Sequence, residues 1–362
     1  MKVYLYNRGR GGNIGDAIIS TVLENSLHNL GFEVILNDSY PIRRYGPLPA
    51  GLIHLNSFIG DIRKVKESDL VVIGGGNLIM DVSGVKANWA LHHFWLSLLS
   101  RFFHKKYYYC CVGAAPLQTS VARFLYRRAL CNARKISARD SFSAQYIREL
   151  IGREDVWEMF DPALLISSLY PIAKNKRRSK KRSIGICPVQ LYPFISPDPV
   201  IQQRYVKLHT RLIDTFIHNG HEVFLFLNDS GYDAAVFREI KQNISSSTSG
   251  FHAIETFSDY AEYLPFIASL DFLVTSRLHS AIIAVSYSIP TIGYGWQPKM
   301  KYFYQDNNLD GYINIIDNLV NEEALERTFS YTIELYNTTL FKIPKIQLKT
   351  LRMEEFLDLT GQ

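Results

Sequence analysis

The residues best equipped for chemistry stand together at Thr275-Ser276-Arg277-Leu278-His279-Ser280. An apolar run at 271–274 precedes them, and an apolar helical pattern at 279–287 follows. A buried strand turning sharply into a helix gathers unbonded N–H groups and the positive end of a helix dipole at one point. The Arg277 guanidinium, the His279 imidazole and the Ser276 and Ser280 hydroxyls make that point a binding site for a compact anion, a phosphate or a carboxylate. Lys299 follows another strand-like run at 291–294, in Trp296-Gln297-Pro298-Lys299, and is expected at the same site. Taken alone, His279 reads as a half-buried structural histidine. Arg277, two residues before it, turns the reading toward function.

Three more segments repeat this design. Arg8-Gly9-Arg10-Gly11-Gly12-Asn13-Ile14-Gly15-Asp16 follows a strand-like run at 2–6. Its glycines allow close backbone approach, and Asn13 and Gly15 at the helix start suit an anion or a polar sugar. The structural reading is a tight turn, with Asp16 complementing the helix dipole. The spacing departs from GxGxxG and Asp16 would repel a pyrophosphate, so a dinucleotide site is disfavoured. Gly74-Gly75-Gly76-Asn77, after a run at 69–73, is expected to form a loop. Gly75 and Gly76 would open the backbone there, and Asn77 with Asp81 would bond sugar hydroxyls. Ser137-Ala138-Arg139-Asp140-Ser141 again ends a strand. Arg139 could aim a two-donor fork at a carboxylate or phosphate. A buried Arg139–Asp140 pair is the structural alternative.

Positioning these groups requires strand ends. Strand patterns fall at 2–6, 33–36, 69–73, 107–112 and 135–138, with helical patterns at 15–30, 86–103, 119–132 and 141–150. The pattern restarts after residue 182. Strands are expected at 183–187, 222–227, 253–256, 271–274, 291–294 and 312–315, and helices at 200–218, 232–242, 259–268, 279–287 and 321–336. Val/Ile/Tyr runs without alternation suit parallel sheets buried on both faces. The 362 residues exceed one ordinary core. The expected architecture is α/β, with an N-terminal domain at 1–170, a basic linker at 171–182 and a C-terminal domain at 183–362. Each would be doubly wound and Rossmann-like, and the two would face across a cleft that takes the ligand at strand carboxyl ends.

Composition narrows the class further. With 47% apolar and 20% charged residues the chain is globular. Its net charge is +6, but seven Lys or Arg lie in 174–182, and the remainder carries −1. No nucleic-acid partner is therefore expected. The basic run is a solvated linker or a tag for an anionic membrane. Cys110, Cys111, Cys131 and Cys187 lack CxxC spacing and read as reduced core residues of a cytoplasmic protein. The first residues read as a strand, so no signal peptide is expected. No apolar stretch reaches the roughly 18 residues of a membrane span. His92 and His93 are adjacent on a helix and cannot form an i, i+4 metal pair. GxSxG and a Walker A loop are absent.

The ordered set Gly12-Asn13-Ile14-Gly15-Asp16, Gly74-Gly75-Gly76-Asn77, Ser137-Ala138-Arg139-Asp140-Ser141, Asp161-Pro162-Ala163, Ser276-Arg277-Leu278-His279-Ser280 and the stretch to Lys299 resembles the polysaccharide pyruvyl transferase family. The resemblance implies a GT-B-like fold. It also implies transfer of a pyruvyl group from phosphoenolpyruvate to a sugar, releasing phosphate and leaving a ketal across two hydroxyls of a hexose. Such ketals belong to exopolysaccharide, capsule or cell-wall polymers. By motif match Arg139, Arg277 and His279 correspond to donor-binding residues, and Lys299 to a further basic position. Pro188-Val189-Gln190 stands where many relatives carry an arginine.

Two arginines, a lysine and a helix N-terminus would balance the donor's charge. His279, kept protonated by that charge, would deliver a proton to the enol methylene. Asp16 is the first candidate base and Asp81 the second. The scheme needs no metal and no cofactor besides the donor substrate. The acceptor, lipid-linked or nucleotide-linked, is expected on the N-terminal domain, with Trp89 as a sugar platform. The aromatic helix at 89–103 and the basic linker could bring the enzyme to the inner face of the membrane; a core helix and a solvated linker are the alternative. Two rivals stay open. One is a glycosyltransferase of the same architecture using a nucleotide sugar. The other is a non-catalytic sugar- or phosphate-binding relative.

Overall fold

The unalternating Val, Ile, Leu and Tyr runs become the inner strands of two sheets, buried on both faces as parallel sheets require, whereas edge strands such as Glu33–Leu36 and Phe251–Ile254 are only partly covered. The computed structural model describes residues 1–7, 14–37, 50–81, 87–172, 181–193, 195–228, 231–245, 249–316, 319–338 and 353–359. It divides into two units, Met1–Pro162 with Lys349–Gln362, and Ala163–Leu348. Asn13, the glycines at 9, 11 and 12, and most of the basic segment 171–182 lie outside the described residues.

The first unit runs β1 (Lys2–Tyr6), α1 (Ile14–Asn29), β2 (Glu33–Leu36), α2 (Ala50–Glu67), β3 (Leu70–Ile79), α3 (Ala87–Phe102), β4 (Lys106–Ala114), α4 (Ser120–Cys131), β5 (Lys135–Ala138), α5 (Ser141–Ile151) and β6 (Val156–Glu158). Its six strands are parallel in the order β2-β1-β3-β4-β5-β6. The order reverses between β1 and β3, the switch point at which such sheets open a crevice. Helices α2, α3, α4 and α5 pack side by side over one face. The β1–α1–β2 crossover runs the opposite way, so its right-handedness puts α1 on the other face.

The second unit holds α6 (Ile166–Leu169), β7 (Ser183–Cys187), α7 (Pro199–His218), β8 (Glu222–Phe226), α8 (Ala234–Asn243), β9 (Phe251–Ile254), α9 (Tyr260–Ser269), β10 (Phe272–Thr275), α10 (Leu278–Ser286), β11 (Thr291–Gly295), α11 (Pro298–Asp306), β12 (Ile313–Ile315) and α12 (Glu322–Asn337). Its sheet order, β12-β11-β10-β7-β8-β9, is that of a Rossmann sheet, with the reversal between β7 and β10. A last short helix, α13 (Met353–Phe356), belongs to the first unit.

The units differ from the expected boundaries at both ends. Residues 163–170, expected in the first domain, join the second unit because Ser286 Oγ donates to the Leu164 carbonyl at 2.8 Å and Tyr287 OH to the Tyr170 carbonyl at 2.9 Å. The C-terminal segment returns to the first sheet. Tyr108 OH donates to the Leu357 carbonyl at 3.3 Å, Phe356 lies against Trp157, and Asp358 pairs with Arg134 and Lys135.

Five elements escaped the sequence pattern: α2, β6, α11 and the one-turn helices α6 and α13. Helix α2 carries Gly51 and Gly60, residues that weaken a helix, and long-range bonds hold it. Tyr4 OH donates to Asp61 Oδ1 at 2.5 Å, and Trp95 Nε1 to the Phe58 carbonyl at 3.2 Å. Strand β6 is too short to show a period. Helix α11 announced itself only by Pro298 in its first turn.

The glycines at 74–76 do not form the expected loop. Strand β3 continues through them to Ile79 because α1 lies directly upon it. A Cβ at Gly75 would sit 2.1 Å from Ile19 Cγ2, and Gly75 holds φ +69°. Gly75→Ala is expected to cost about 2–5 kcal/mol, combining left-handed strain with overpacking. Gly31→Ala, at φ +80° with open space around it, should cost only about 1–2 kcal/mol. Denaturant midpoints of the two variants check this; equal losses would contradict it.

Cys110, Cys111 and Cys187 are buried as expected, but Cys131 is exposed because it ends α4 on its outer side. His92 and His93 are both core residues. His92 Nε2 lies 2.6 Å from Asp61 Oδ2, between the rings of Tyr6 and Phe58. His93 bonds Tyr109 OH at 3.0 Å, and burial, with its neighbour His92, lowers its pKa to about 3.

Candidate functional site

Chemistry concentrates at the carboxyl edge of the second sheet, at its switch point. Strand β10 ends at Thr275, and the chain turns through Ser276 and Arg277 into α10. Arg277 stands at the N-cap and supplies no side-chain cap. First-turn N–H groups of α10 thus point where the dipole is positive, the arrangement that binds anions. Helices α8 and α11 also begin without a side-chain cap, whereas Asp198, Asp259 and Asn321 cap α7, α9 and α12.

The reason at α8 is specific. Its N-cap residue is Asp233, fully buried, and its carboxylate is engaged elsewhere. Oδ2 accepts from Arg277 Nε at 2.7 Å and lies 2.5 Å from Nη2. Oδ1 accepts from the Gln190 backbone N–H at 2.9 Å. One carboxylate therefore ties the ends of β7 and β10 together across the switch point and fixes the guanidinium plane. Such a charge-assisted pair is strong and directional.

The hydroxyls of the motif lie beneath this turn. Ser276 Oγ bonds Tyr205 OH at 2.6 Å, and Ser280 Oγ accepts from Tyr263 OH at 2.8 Å; both serines are buried. Burial pushes the Tyr205 and Tyr263 hydroxyls well above their usual pKa, so both stay protonated. Burial likewise raises the Cys187 thiol, beside Ser280, to about 12. It is no nucleophile at neutral pH. His279 occupies the first turn of α10 and is half-buried. Trp296 Nε1 donates to the Ser276 carbonyl at 2.9 Å, which draws the start of α11 to the same turn. Lys299, in that helix's first turn, has Nζ 5.7 Å from the Trp296 ring centre. Arg277, His279 and Lys299 are thus carried on adjacent strand ends. Gln190 turns its Nε2 onto the Tyr192 carbonyl at 2.6 Å.

The first unit gathers a different set. Arg139, at the end of β5, is buried against Gly113, whose missing Cβ would stand 2.7 Å from its Nε. Nη1 donates to Asp161 Oδ2 at 3.1 Å and Nε to Asp140 Oδ2 at 3.3 Å. Burial alone would lower the Arg139 pKa; Asp161, Asp140 and Asp16 outweigh it and raise it. Asp140 also caps α5 through the Ser143 N–H at 2.7 Å. The geometry is that of the buried Arg–Asp pair, enlarged to several carboxylates. Asp16, in the first turn of α1, is buried within this field. Gly15 is buried beside it, and Gly75, Gly76 and Asn77 lie in β3. Asn77 is half-buried, with Nδ2 3.2 Å from Met80 Sδ. Trp89 is half-buried on α3.

Asp81 is fully engaged. It accepts from Gln118 N–H at 2.6 Å, Thr119 N–H at 2.6 Å and Thr119 Oγ1 at 2.8 Å. Burial would raise this carboxyl, but those donors outweigh it and hold it below its usual range. A carboxyl depressed in the folded state stabilises above its unfolded pKa of about 3.9, and that contribution is lost as pH falls through the folded value. Asp81→Asn should therefore be less stable at neutral pH and show a flatter acid limb below about pH 4. Urea midpoints across pH check it, and an acid limb identical to the parent's would count against it.

Asp233 was the main residue overlooked. Its signal was present, since an aspartate stands at the start of an expected helix, but nothing in the sequence marks its partner as Arg277, 44 residues away.

Two parallel Rossmann-like sheets, each with a switch point, define a GT-B-like fold. A family model described as polysaccharide pyruvyl transferase matches residues 13–298. The chain belongs to that family, a family of transferases. No curated protein matches it. Among solved structures it is similar to the S. aureus MnaA-UDP co-structure, at 13% identity over 100% of this chain and 98% of that one, with a TM-score of 0.59. A putative UDP-N-acetylglucosamine 2-epimerase from Listeria monocytogenes matches at 12% identity over 93% and 88%, TM-score 0.59. Another UDP-N-acetylglucosamine 2-epimerase structure matches at 11% over 93% and 87%, TM-score 0.61. At such identities the likeness is one of fold. Among the described residues, no helix is long and apolar enough to cross a membrane.

Proposed function

We propose that this chain transfers the pyruvyl group of phosphoenolpyruvate to two hydroxyls of a sugar in a polysaccharide precursor. The observation that carries the reading is the Arg277 guanidinium, fixed by buried Asp233 at the uncapped start of α10. Phosphoenolpyruvate concentrates a phosphate and a carboxylate on three carbons. A fork-shaped cation, a lysine and a helix N-terminus match that charge.

In this reading His279 delivers a proton to the methylene, which becomes the methyl group. The central carbon then takes the oxygen of the first sugar hydroxyl. The C–O bond to phosphate breaks, and the second hydroxyl closes the ketal. Of the two hydroxyl protons, one replaces the proton given by His279 and the other leaves on phosphate. Asp16 is the candidate that accepts the first hydroxyl proton and relays it to the phosphate that leaves. Arg277, Lys299 and the α10 N–H groups stabilise the departing phosphate. Ser276 and Ser280 hold the turn through Tyr205 and Tyr263. Gly15, Gly75, Gly76 and Asn77 are assigned to the acceptor side, around the β1/β3 switch point. Arg139 sustains that side through its carboxylates rather than by meeting the donor directly.

His279→Gln tests the acid. The expected result is a kcat lower by about 10²–10⁴-fold, with KM for phosphoenolpyruvate nearly unchanged. A rise in KM with unchanged kcat would make His279 a binding group only. A nucleotide-sugar enzyme is the second reading, drawn from the UDP named in one neighbour. Titration of the protein with phosphoenolpyruvate and with UDP-sugars separates the two.

A further inference from the structure

Helices α2, α3 and α4 share the outer layer of the first unit, and their outward sides are unusually apolar. Among the described residues, thirteen large hydrophobic side chains stand exposed. Seven of them lie on these three helices, too many for the scattered exposure normal on a protein surface. Phe102 is 75% exposed, Val121 59%, Ile59 57% and Phe124 55%. On α3, Leu91, Leu98 and Phe102 recur at helical spacing and form one stripe. Trp95 pins that helix to α2 through the Phe58 carbonyl.

The charge on α3 and α4 has a single sign. Between Asp81 and Asp140 the sequence contains ten Lys or Arg and no acidic residue. Arg101, Arg123, Arg127 and Arg128 are exposed on these two helices. Among the described residues none of the four pairs with a carboxylate. Arg128 instead lies over the Phe124 ring, 5.4 Å from its centre. Beside α4 a 520 Å³ depression continues the face, lined by Arg123, Phe124, Arg127 and Tyr146 together with one carboxylate, Glu149.

We propose that the outer face of α2, α3 and α4 docks on an anionic bilayer surface. Phe102, Leu98 and Phe124 enter the headgroup layer, and Arg101, Arg127 and Arg128 meet lipid phosphates. Exposed Phe and Leu among arginines without carboxylate partners is the composition of an interfacial helix, and each such cation adds attraction to anionic lipid. Charge also selects this occupant over a second copy of the chain. A two-fold contact would set the acid-free helices α3 and α4 against themselves, cation facing cation.

The test sediments the full chain with phosphatidylcholine vesicles, with and without phosphatidylglycerol, in the absence of any substrate. Its result is thereby independent of the chain's use of phosphoenolpyruvate. Binding is expected on the anionic vesicles and should weaken as salt is raised. Arg127→Glu/Arg128→Glu and Leu98→Ser/Phe102→Ser should each lower the partition coefficient by at least about tenfold, with unchanged circular dichroism and thermal unfolding. Absent binding, equal binding to neutral vesicles, or variants that bind like the parent would overturn the proposal. So would light scattering that shows a parent dimer dissociated by the same variants, since the face would then serve self-association.

Discussion

Arg277→Ala is expected to lower kcat/KM for phosphoenolpyruvate, the proposed donor, by about 10²–10³-fold, the scale of losing a preorganised charged donor at a developing anion. The same variant also loses stability. Asp233 is fully buried and takes two of its hydrogen bonds from this guanidinium. An unpaired buried charge costs about 3–5 kcal/mol. The two effects separate in Arg277→Gln/Asp233→Asn, which replaces the ion pair by neutral amides. That double variant should recover most of the unfolding midpoint and none of the phosphoenolpyruvate affinity. Recovery of both would reduce Arg277 to a scaffold residue. Arg277→Lys should resemble Arg277→Ala in activity, because a point charge cannot reproduce the fork that meets Asp233 on one edge and an anion on another.

Arg139→Met is expected to cost a comparable amount of stability, about 3–5 kcal/mol. Asp140 and Asp161 both bond this guanidinium, and Asp16 adds to the same negative field. Removing it takes the cation away from a group of buried carboxylates. Hydrogen exchange should report the damage in β4, β5 and α5, the elements packed around it. If Arg139 instead grips the donor, its removal would abolish phosphoenolpyruvate binding and leave the exchange of β5 unchanged. The two outcomes are opposite in kind, so one variant decides between them.

Much of this molecule could be read from the chain because buried parallel strands have an unmistakable composition. Lys2–Tyr6, Lys135–Ala138 and Ser183–Cys187 fall where their apolar runs place them. The turn at 275–279 was equally legible, since a polar cluster between a strand run and a helix run rarely folds as anything but a connecting turn. What could not be read was partnership. Local sequence carries Arg277 but not Asp233, and Arg139 but not the number of carboxylates around it. Gly75 misled for a related reason. Glycine reads locally as a turn, whereas here it admits Ile19 of a packed helix into the sheet. The fate of the C-terminal segment was equally hidden. Contacts such as Tyr108 with Leu357 span 249 residues and leave no periodic trace.

Pyruvyl transfer from phosphoenolpyruvate, the proposed reaction, can be read out in a single assay. The full chain is incubated with phosphoenolpyruvate and a panel of hexosides and lipid-linked sugars, with phosphate release and acceptor mass followed together. Phosphate release is expected only when a suitable acceptor is present, in step with an acceptor mass gain of one pyruvyl ketal. An enzyme that fails to bind phosphoenolpyruvate and instead binds or consumes a UDP-sugar would contradict it.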